Sequence, residues 1–593
     1  MKGSDFIAKF VTEQGSTHSF VLTGGACAHM IDSLARQTGH QVVCVEHEQA
    51  GAMAADGFSR NGDGKLGVAI ATSGPGATNL ITGIACAWFD SVPVVYITGQ
   101  VNTFEQKGSF KIRQMGFQET EIVEMVSSIT KFAKKVDRPE DLKKTLQEAY
   151  FLARSGRPGP VLIDVPFNVQ TADIDFEITE DFIQPDLKSH KTQLDFSWLD
   201  KLKKASRPTL VLGYGVQAAG ASSFVDELLK ELKIPTVVSW SGLDLVPADH
   251  PHYVGQIGVY GARAANFAVQ NSDFLLSIGS RLDSRQTGGK YQSFAREAFR
   301  VIVDIDEAEL NKKRVEPHVP VVSDAKDFIQ ALTKELKSQS EERRDHKSWI
   351  QMTQQWKKEL PIYDSSRLEK SVVNPYRFFD QLSDKLEDDA FIIADTGATL
   401  TWLIQGLKVK KGQRVISAFG NSPMGYALPA AIGAWFAKKR PVYCVIGDGG
   451  FQINIQELQT LVSYQIPVRI FVMNNKGYGI IKQFQDLYLE GRHIATGEGY
   501  SCPNFIKIAS AYGIHSVSVD NDETIAQSLC YLEEVQGPIL FDVNVQPTEK
   551  LEPKLGWGRP IEDQLPLLDR EQFQKYMLIE PLELSASRGN EIN

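Results

Sequence analysis

Two glycine turns in the last third of the chain carry side chains suited to holding a metal and a phosphate. One is Gly447-Asp448-Gly449-Gly450 and the other is Asn474-Asn475-Lys476-Gly477-Tyr478-Gly479. Each closes a strand-like apolar run, RPVYCVIGDG (440–449) and VRIFVMNN (468–475). An acid at one strand end and an amide at the next can meet at one edge of a parallel sheet, where open α/β sheets bind ligands. Asp448 and Asn475 are hard oxygen donors of the kind Mg²⁺ takes, and Mg²⁺ completes its shell with phosphate oxygens and water. The glycines let backbone N–H groups approach a diphosphate, and a helix beginning after Gly450 adds its dipole. Far upstream, CVEHEQAGAMAADGFSR (44–60) puts Glu48 at a strand-to-helix junction, and ATSGPGATNL (71–80) is a glycine turn opening a helix. Plainer readings stand beside these. Gly, Asp and Asn are ordinary turn residues, and a glutamate in a first helical turn is ordinary dipole stabilisation.

Such turns need sheets to carry them. The 593 residues exceed one core, and at roughly 100–200 residues per domain they make about three or four. Strand-like runs alternate with amphipathic runs along most of the chain. Besides the two above, they are GVAIAT (67–72), VPVVYIT (92–98), PVLIDV (160–165), TLVLG (209–213), DFLLSIG (273–279), FRVIVDID (299–306) and AFIIAD (390–395). This alternation predicts an α/β protein of parallel sheets flanked by helices. Polar stretches at 170–196 and 335–368, the second containing SEERRDHK, read as solvated helix or linker. They divide the chain into domains 1–180, 190–340 and 365–550, with a tail over 551–593.

Composition is that of a folded globular protein, 42% apolar and 23% charged. A net charge of -10 argues against a nucleic-acid partner. Six scattered cysteines with no CxxC pair and no zinc spacing fit reduced thiols in a cytoplasmic protein. The N-terminal residues carry no signal-peptide pattern, and no apolar run is long enough to span a bilayer.

The GDG turn followed at this spacing by the asparagine pair resembles the thiamine-diphosphate motif. That chemistry gives Glu48 a use. C2 of the thiazolium must lose a proton, and the cofactor's aminopyrimidine removes it once a carboxylate hydrogen-bonds its ring nitrogen. Longer stretches are similar to the acetohydroxyacid synthases, or acetolactate synthases, from about residue 5 to 545. They include LTGGA (22–26), VEHEQAGAMAADGFSR, IATSGPGATNLITGIACAWFDSVPVVYITGQV (70–101), FQETEIVE (117–124), SGRPGPVLIDVP (155–166), GSRLDSRQTG (279–288), VDIDEAEL (303–310), PMGYALPAAIGA (423–434) and GDGGFQINIQEL (447–458).

The resemblance implies three domains: pyrimidine-binding, central FAD-type and diphosphate-binding. It implies a homodimer or homotetramer with active sites at the subunit interface. Glu48 is then the activating glutamate. Asp448 and Asn475 hold Mg²⁺ with the backbone carbonyl of Gly477, Met424 lies under the thiazolium, and Gln118 and Gly25 face the reacting carbons. Gly449, Gly450, Tyr478, Gly479 and Thr399 border the cofactor. Gly213, Gly215, Arg281, Asp283, Arg285, Asp304 and Asp324 match positions of the family's FAD site, with Arg157 joining from the first domain. The flavin performs no net redox step. The implied activity is decarboxylation of pyruvate and transfer of the two-carbon unit to an acceptor carbonyl.

Departures bear on the acceptor. NTFEQKGSFKIRQMG (102–116) is longer than in typical acetolactate synthases, and its Lys111 and Arg113 read as a solvated loop or a hold on an anionic substrate. Phe167 stands for a lysine, Phe484 for a tryptophan, Ser284 for an acid, and Ala398-Thr399 for a Gln-His pair. These changes admit a nucleotide-linked keto sugar as an alternative acceptor. A simple 2-keto-acid decarboxylase would need a His-His pair in the first domain, yet no histidine occurs between His47 and His190. An oxidase of the pyruvate oxidase kind is a further alternative, and a non-catalytic regulatory or binding subunit is the last, against which the retention of Glu48, Asp448 and Asn475 argues.

Overall fold

A computed structural model of the chain describes residues 1–185, 194–339, 345–363 and 371–586. Three six-stranded sheets, each with every neighbouring pair parallel, follow one another along the sequence. The first comprises β1 His18–Val21, β2 Gln41–Cys44, β3 Gly67–Ala71, β4 Val94–Gln100, β5 Phe132–Lys135 and β6 Val161–Pro166, in the order β2-β1-β3-β4-β6-β5. The second comprises β7 Pro208–Leu212, β8 Thr236–Val238, β9 Tyr253–Gln256, β10 Phe274–Ile278, β11 Phe299–Asp304 and β12 Val319–Val322, in the order β12-β11-β10-β7-β8-β9. The third comprises β13 Phe391–Ala394, β14 Arg414–Ile416, β15 Val442–Gly447, β16 Arg469–Asn474, β17 His515–Val519 and β18 Ile539–Asn544, in the order β14-β13-β15-β16-β18-β17.

The expected α/β architecture is therefore present, and the nine apolar runs are all strands. Interior strands such as β3 and β10 are buried along their whole length because helices cover both faces. Each sheet has a point where neighbouring strands lead away in opposite directions: between β1 and β3, between β7 and β10, and between β13 and β15. At such a point the two flanking loops leave in opposite directions and open a crevice beyond the carboxyl ends of the strands.

The first and third domains share a core. Helix Glu48–Asn61 lies against helix Ala427–Lys438, and Ala52, Ala54 and Phe58 join Ala430, Ala431 and Ala434 in one apolar cluster. At the junction, Arg60 donates to Asp56 at 2.7 Å and to Asp90 at 2.9 Å, Tyr426 donates to Asp56, and Gly420 N–H donates to Asp90 at 2.8 Å.

Two stretches read as polar or terminal belong to the central core. Helix Lys347–Glu359 buries Trp349 and Trp356, apolar positions seven apart that the neighbouring charge run obscures. The segment read as a tail packs Leu555, Ile561, Phe573 and Tyr576 into the same cluster as Phe267 and both tryptophans. Arg263 donates to the carbonyl of Gln564 at 3.0 Å, and Asn271 donates to that of Tyr576 at 2.8 Å. Residues 186–193, 340–344 and 364–370, in or next to the two polar stretches, lie outside the described residues. Among the described residues no helix is long and apolar enough to cross a membrane, and all six cysteines are free thiols.

Candidate active site

The crevice of the first sheet is built around the loop 72–79, which leaves β3. Glu48 enters from β2, at the start of the helix whose first turn His47 caps by accepting Gln49 N–H at 3.1 Å. Its carboxylate is buried, only 8% exposed. Oε2 accepts a hydrogen bond from Asn79 Nδ2 at 2.9 Å. Oε1 faces Gly76, where a Cβ would stand 3.2 Å away. One oxygen is thus tied and the other keeps an open approach, which only a missing side chain at 76 provides. Gln118 arrives from the loop after β4. It has a left-handed backbone, φ 64°, and packs against Gly74, where a Cβ would lie 2.8 Å from its own. Gly25 begins the short turn after β1, and the next residue, Ala26, donates its N–H to Thr72 at 3.2 Å. The structure therefore brings Glu48, Gln118 and Gly25 around one loop.

The crevice of the third sheet gathers the second set. Asp448 follows β15 and accepts N–H bonds from Gly449 at 2.9 Å and Gly477 at 3.0 Å, which joins the two glycine turns directly. Burial pushes its carboxyl up to about 6. The paired asparagines divide their work. Asn474 bonds Asp542 at 2.9 Å and is structural, whereas Asn475 is buried with its Nδ2 unpartnered. A Cβ at Gly447 would stand 3.1 Å from Thr399 Oγ1, one at Gly449 would strike Tyr478, and one at Gly479 would strike Asn475. Those gaps line a polar cradle at the sheet edge. Met424 stands beside it, 36% exposed, between left-handed Ser422 and Gly425. Beneath lies Asp395, fully buried, which accepts N–H bonds from Gly425 at 3.1 Å and Ala427 at 3.2 Å and is pushed up to about 6 by burial. Among the described residues no three His, Cys, Asp or Glu side chains cluster for a metal. One carboxylate, one amide and a backbone carbonyl beside this polar cradle would be a donor set that Mg²⁺ accepts.

The crevice of the second sheet opens into a cavity of about 880 Å³ between the domains. Arg157, Gly215, Arg281, Asp283, Asp304 and Asp324 all line it. Arg157 bonds Asp306 and Glu309 at 2.9 Å and Ser91 at 2.8 Å. Asp283 and Asp324 cap the helices they precede. Its size suits a large organic ligand. Two expected residues are not on the lining. Gly213 is packed against Gly279 and Ser280. The Arg285 guanidinium lies 5.9 Å from the Tyr260 ring instead.

Three family descriptions match in chain order. They are Thiamine pyrophosphate enzyme, N-terminal TPP binding domain over residues 1–125, central domain over 197–332, and C-terminal TPP binding domain over 395–543. The acetolactate synthase isozyme 2 large subunit of Escherichia coli (strain K12) is 35% identical over 557 residues, 93% of this chain and 97% of that one. The probable acetolactate synthase large subunit of Methanocaldococcus jannaschii is 36% identical over 566 residues, 93% of each chain. The chain belongs to the acetolactate synthase large-subunit family of thiamine pyrophosphate enzymes. A plant relative, acetolactate synthase 3, chloroplastic, of Brassica napus, is 34% identical over 578 residues, 95% of this chain and 86% of that one. Nothing in these relatives' names favours a keto-sugar acceptor.

Within this family frame, several supporting residues carry no sequence signal of their own. Asn79 orients Glu48, Asp395 holds the Met424 turn, and Glu457 accepts the N–H of Glu46 at 3.1 Å from across the domain junction. Among the departures, Phe484 is 41% exposed and packs on Tyr488, and Phe167 meets His29 edge-on at 5.0 Å. Lys111, Arg113 and Ser284 are exposed.

Proposed function

We propose that this chain decarboxylates pyruvate and joins the two-carbon unit to a second 2-keto acid, giving 2-acetolactate. The observation that carries the reading is the buried Glu48 carboxylate, with Oε2 held by Asn79 and Oε1 open over Gly76. Thiamine pyrophosphate, when bound, supplies the nucleophilic carbon and the electron sink. Glu48 would hold at Oε1 a proton shared with the cofactor, and Asn79 fixes the orientation of that carboxylate. Asp448, Asn475 and the carbonyl of Gly477 would hold Mg²⁺, with Gly449, Gly450, Tyr478, Gly479 and Thr399 around the diphosphate. Met424 would support the cofactor, and Gln118 and Gly25 would orient the keto acids and exclude water.

FAD would occupy the central cavity, which its Arg and Asp lining and its volume suit. The two halves of the site would come from different subunits of a homodimer or homotetramer. In support, Phe104, Phe110 and Phe117 are exposed on the first domain, and Met424, Ile453 and Phe484 on the third, a load of surface apolar groups that a second copy would cover.

The test is product identification by mass spectrometry. Purified protein receives pyruvate, thiamine pyrophosphate, Mg²⁺ and FAD, with and without 2-ketobutyrate or a keto sugar. The expected product is 2-acetolactate. Acetaldehyde alone, or acetate with reduced flavin, would overturn the reading.

A further inference from the structure

Next to Gln118, one carboxylate gathers the whole extended segment after β4. Glu119 is 7% exposed. Its Oε1 accepts the N–H of Lys107 at 2.7 Å, and its Oε2 accepts those of Met115 at 2.7 Å and Gly116 at 3.4 Å. Its own N–H donates to the Gly116 carbonyl at 3.1 Å, and its carbonyl accepts from Gln114 Nε2 at 3.0 Å. Residues 107–116 are thereby closed onto a single side chain and its backbone. Burial would raise this carboxyl, but the three N–H donors hold it below the usual glutamate range.

Beyond these bonds, Lys107 Nζ pairs with Glu121 at 3.4 Å and Gln106 accepts from Lys135 Nζ at 2.6 Å. Phe104, Phe110, Ile112, Met115 and Phe117 are all exposed. At its near end, Thr103 N–H donates to Asn168 at 2.9 Å. At its far end stands Gln118, in the left-handed backbone region that strains a non-glycine residue. Such a conformation persists only where the surroundings over-determine it. Here Glu119 fixes one side, and Gln100 Nε2, donating to the Thr120 carbonyl at 2.8 Å, fixes the other.

We propose that Glu119 is a positioning residue for the reaction. Its carboxylate sets both the backbone of Gln118 and the seat of the apolar segment 104–117. It thereby decides whether the two-carbon unit reaches the acceptor keto acid or leaves as acetaldehyde. This rests on the carboligase reading above. Glu119 touches none of the residues assigned to the diphosphate or the metal, so its effect falls on partition and not on cofactor retention.

Two variants test it from different directions. Glu119→Gln keeps the volume but puts an NH₂ where an oxygen accepts an N–H. Gly116→Ala leaves Glu119 in place but sets a Cβ 2.9 Å from the Glu105 carbonyl and 3.0 Å from Val101 Cγ2, displacing the same segment. Each holoenzyme is assayed with pyruvate for acetaldehyde and acetolactate, for thiamine pyrophosphate affinity by calorimetry, and for proteolysis between 104 and 116. Both variants are expected to bind the cofactor as wild type does. Both should raise the acetaldehyde-to-acetolactate ratio by about tenfold, the scale at which small misplacement of a positioning group acts, with a higher KM for pyruvate and faster cleavage in the segment. A wild-type ratio and KM in Glu119→Gln would overturn the proposal. Wild-type protein that makes no acetolactate would defeat the carboligase reading and this proposal with it, and that is seen before either variant is made.

Discussion

Asn79 Nδ2 holds Glu48 Oε2 at 2.9 Å, across 31 positions of sequence, and leaves Oε1 facing the backbone of Gly76. This buried carboxylate is thus oriented by an amide that neither titrates nor competes for a proton. Glu48→Gln is expected to cut turnover at least about tenfold, the lower range for loss of an acid–base group. Thiamine pyrophosphate affinity and the thermal midpoint should stay near wild type. Steady-state kinetics beside calorimetry check it, and unchanged turnover removes Glu48 from the mechanism.

Gly76→Ala probes the open side of the same carboxylate. Its Cβ would lie 2.8 Å from Thr72 Cγ2 and 3.2 Å from Glu48 Oε1. The loop must shift, so kcat/KM should fall by about tenfold or more, as misplaced catalytic groups do. The melting midpoint should drop only a few degrees. A variant with full activity would show that Oε1 does not need this approach.

Asp448→Ala removes the carboxylate that bonds both Gly449 and Gly477. Thiamine pyrophosphate should bind at least about tenfold more weakly in Mg²⁺, as loss of a ligand or its support commonly costs. The difference from wild type should shrink when Mg²⁺ is chelated. Equal affinity in Mg²⁺ by calorimetry would contradict the metal assignment.

Asp164 makes a pH prediction. It accepts hydrogen bonds from Thr98 at 2.7 Å and Gln100 at 3.0 Å, and burial pushes it up to about 7 from 3.8. The folded state therefore binds this proton more tightly than the unfolded chain. The stabilisation is complete below the unfolded value near 4 and is lost as pH rises through about 7. Asp164→Asn cannot titrate and should hold its stability over that range. Wild type should lose a few kcal/mol relative to it between pH 5 and 8, at about 1.4 kcal/mol per tenfold difference in proton affinity. Urea midpoints at several pH values, compared between the two proteins, measure it.

Arg60→Met removes the cation between Asp56 and Asp90, where the Arg60 side chain is 1% exposed. Two buried carboxylates then lose their partner, and the destabilisation should be about 3–5 kcal/mol. A urea midpoint equal to wild type would show that the network contributes nothing at the junction.

The strands that sequence patterning found are all interior ones. β3, β4 and β15 read as unbroken apolar runs because helices bury both of their faces. The edge strands β5, reading FAKK, and β17, reading HSVSV, present polar residues to solvent and resemble loops in one dimension. The site divides along the same line. Glu48, Asp448 and Asn475 were legible because their chemistry is of a kind that the spacing and the family resemblance both point to. Asn79, Asp395 and Glu119 were not, because each acts through a partner that only the folded chain brings near. Arg285 shows the converse, a position matched to the flavin set whose side chain lies on Tyr260 instead.

The placement of Leu555, Ile561, Phe573 and Tyr576 in the central core has a consequence for biosynthesis. Domains generally fold as units while the chain emerges from the ribosome. The middle sheet, whose last strand is Val319–Val322, keeps an unsealed hydrophobic flank until Leu555 to Tyr576 have been made. A nascent chain exposes that flank while the whole third sheet, Phe391 to Asn544, is translated, and a truncation just before Leu555 damages the second domain.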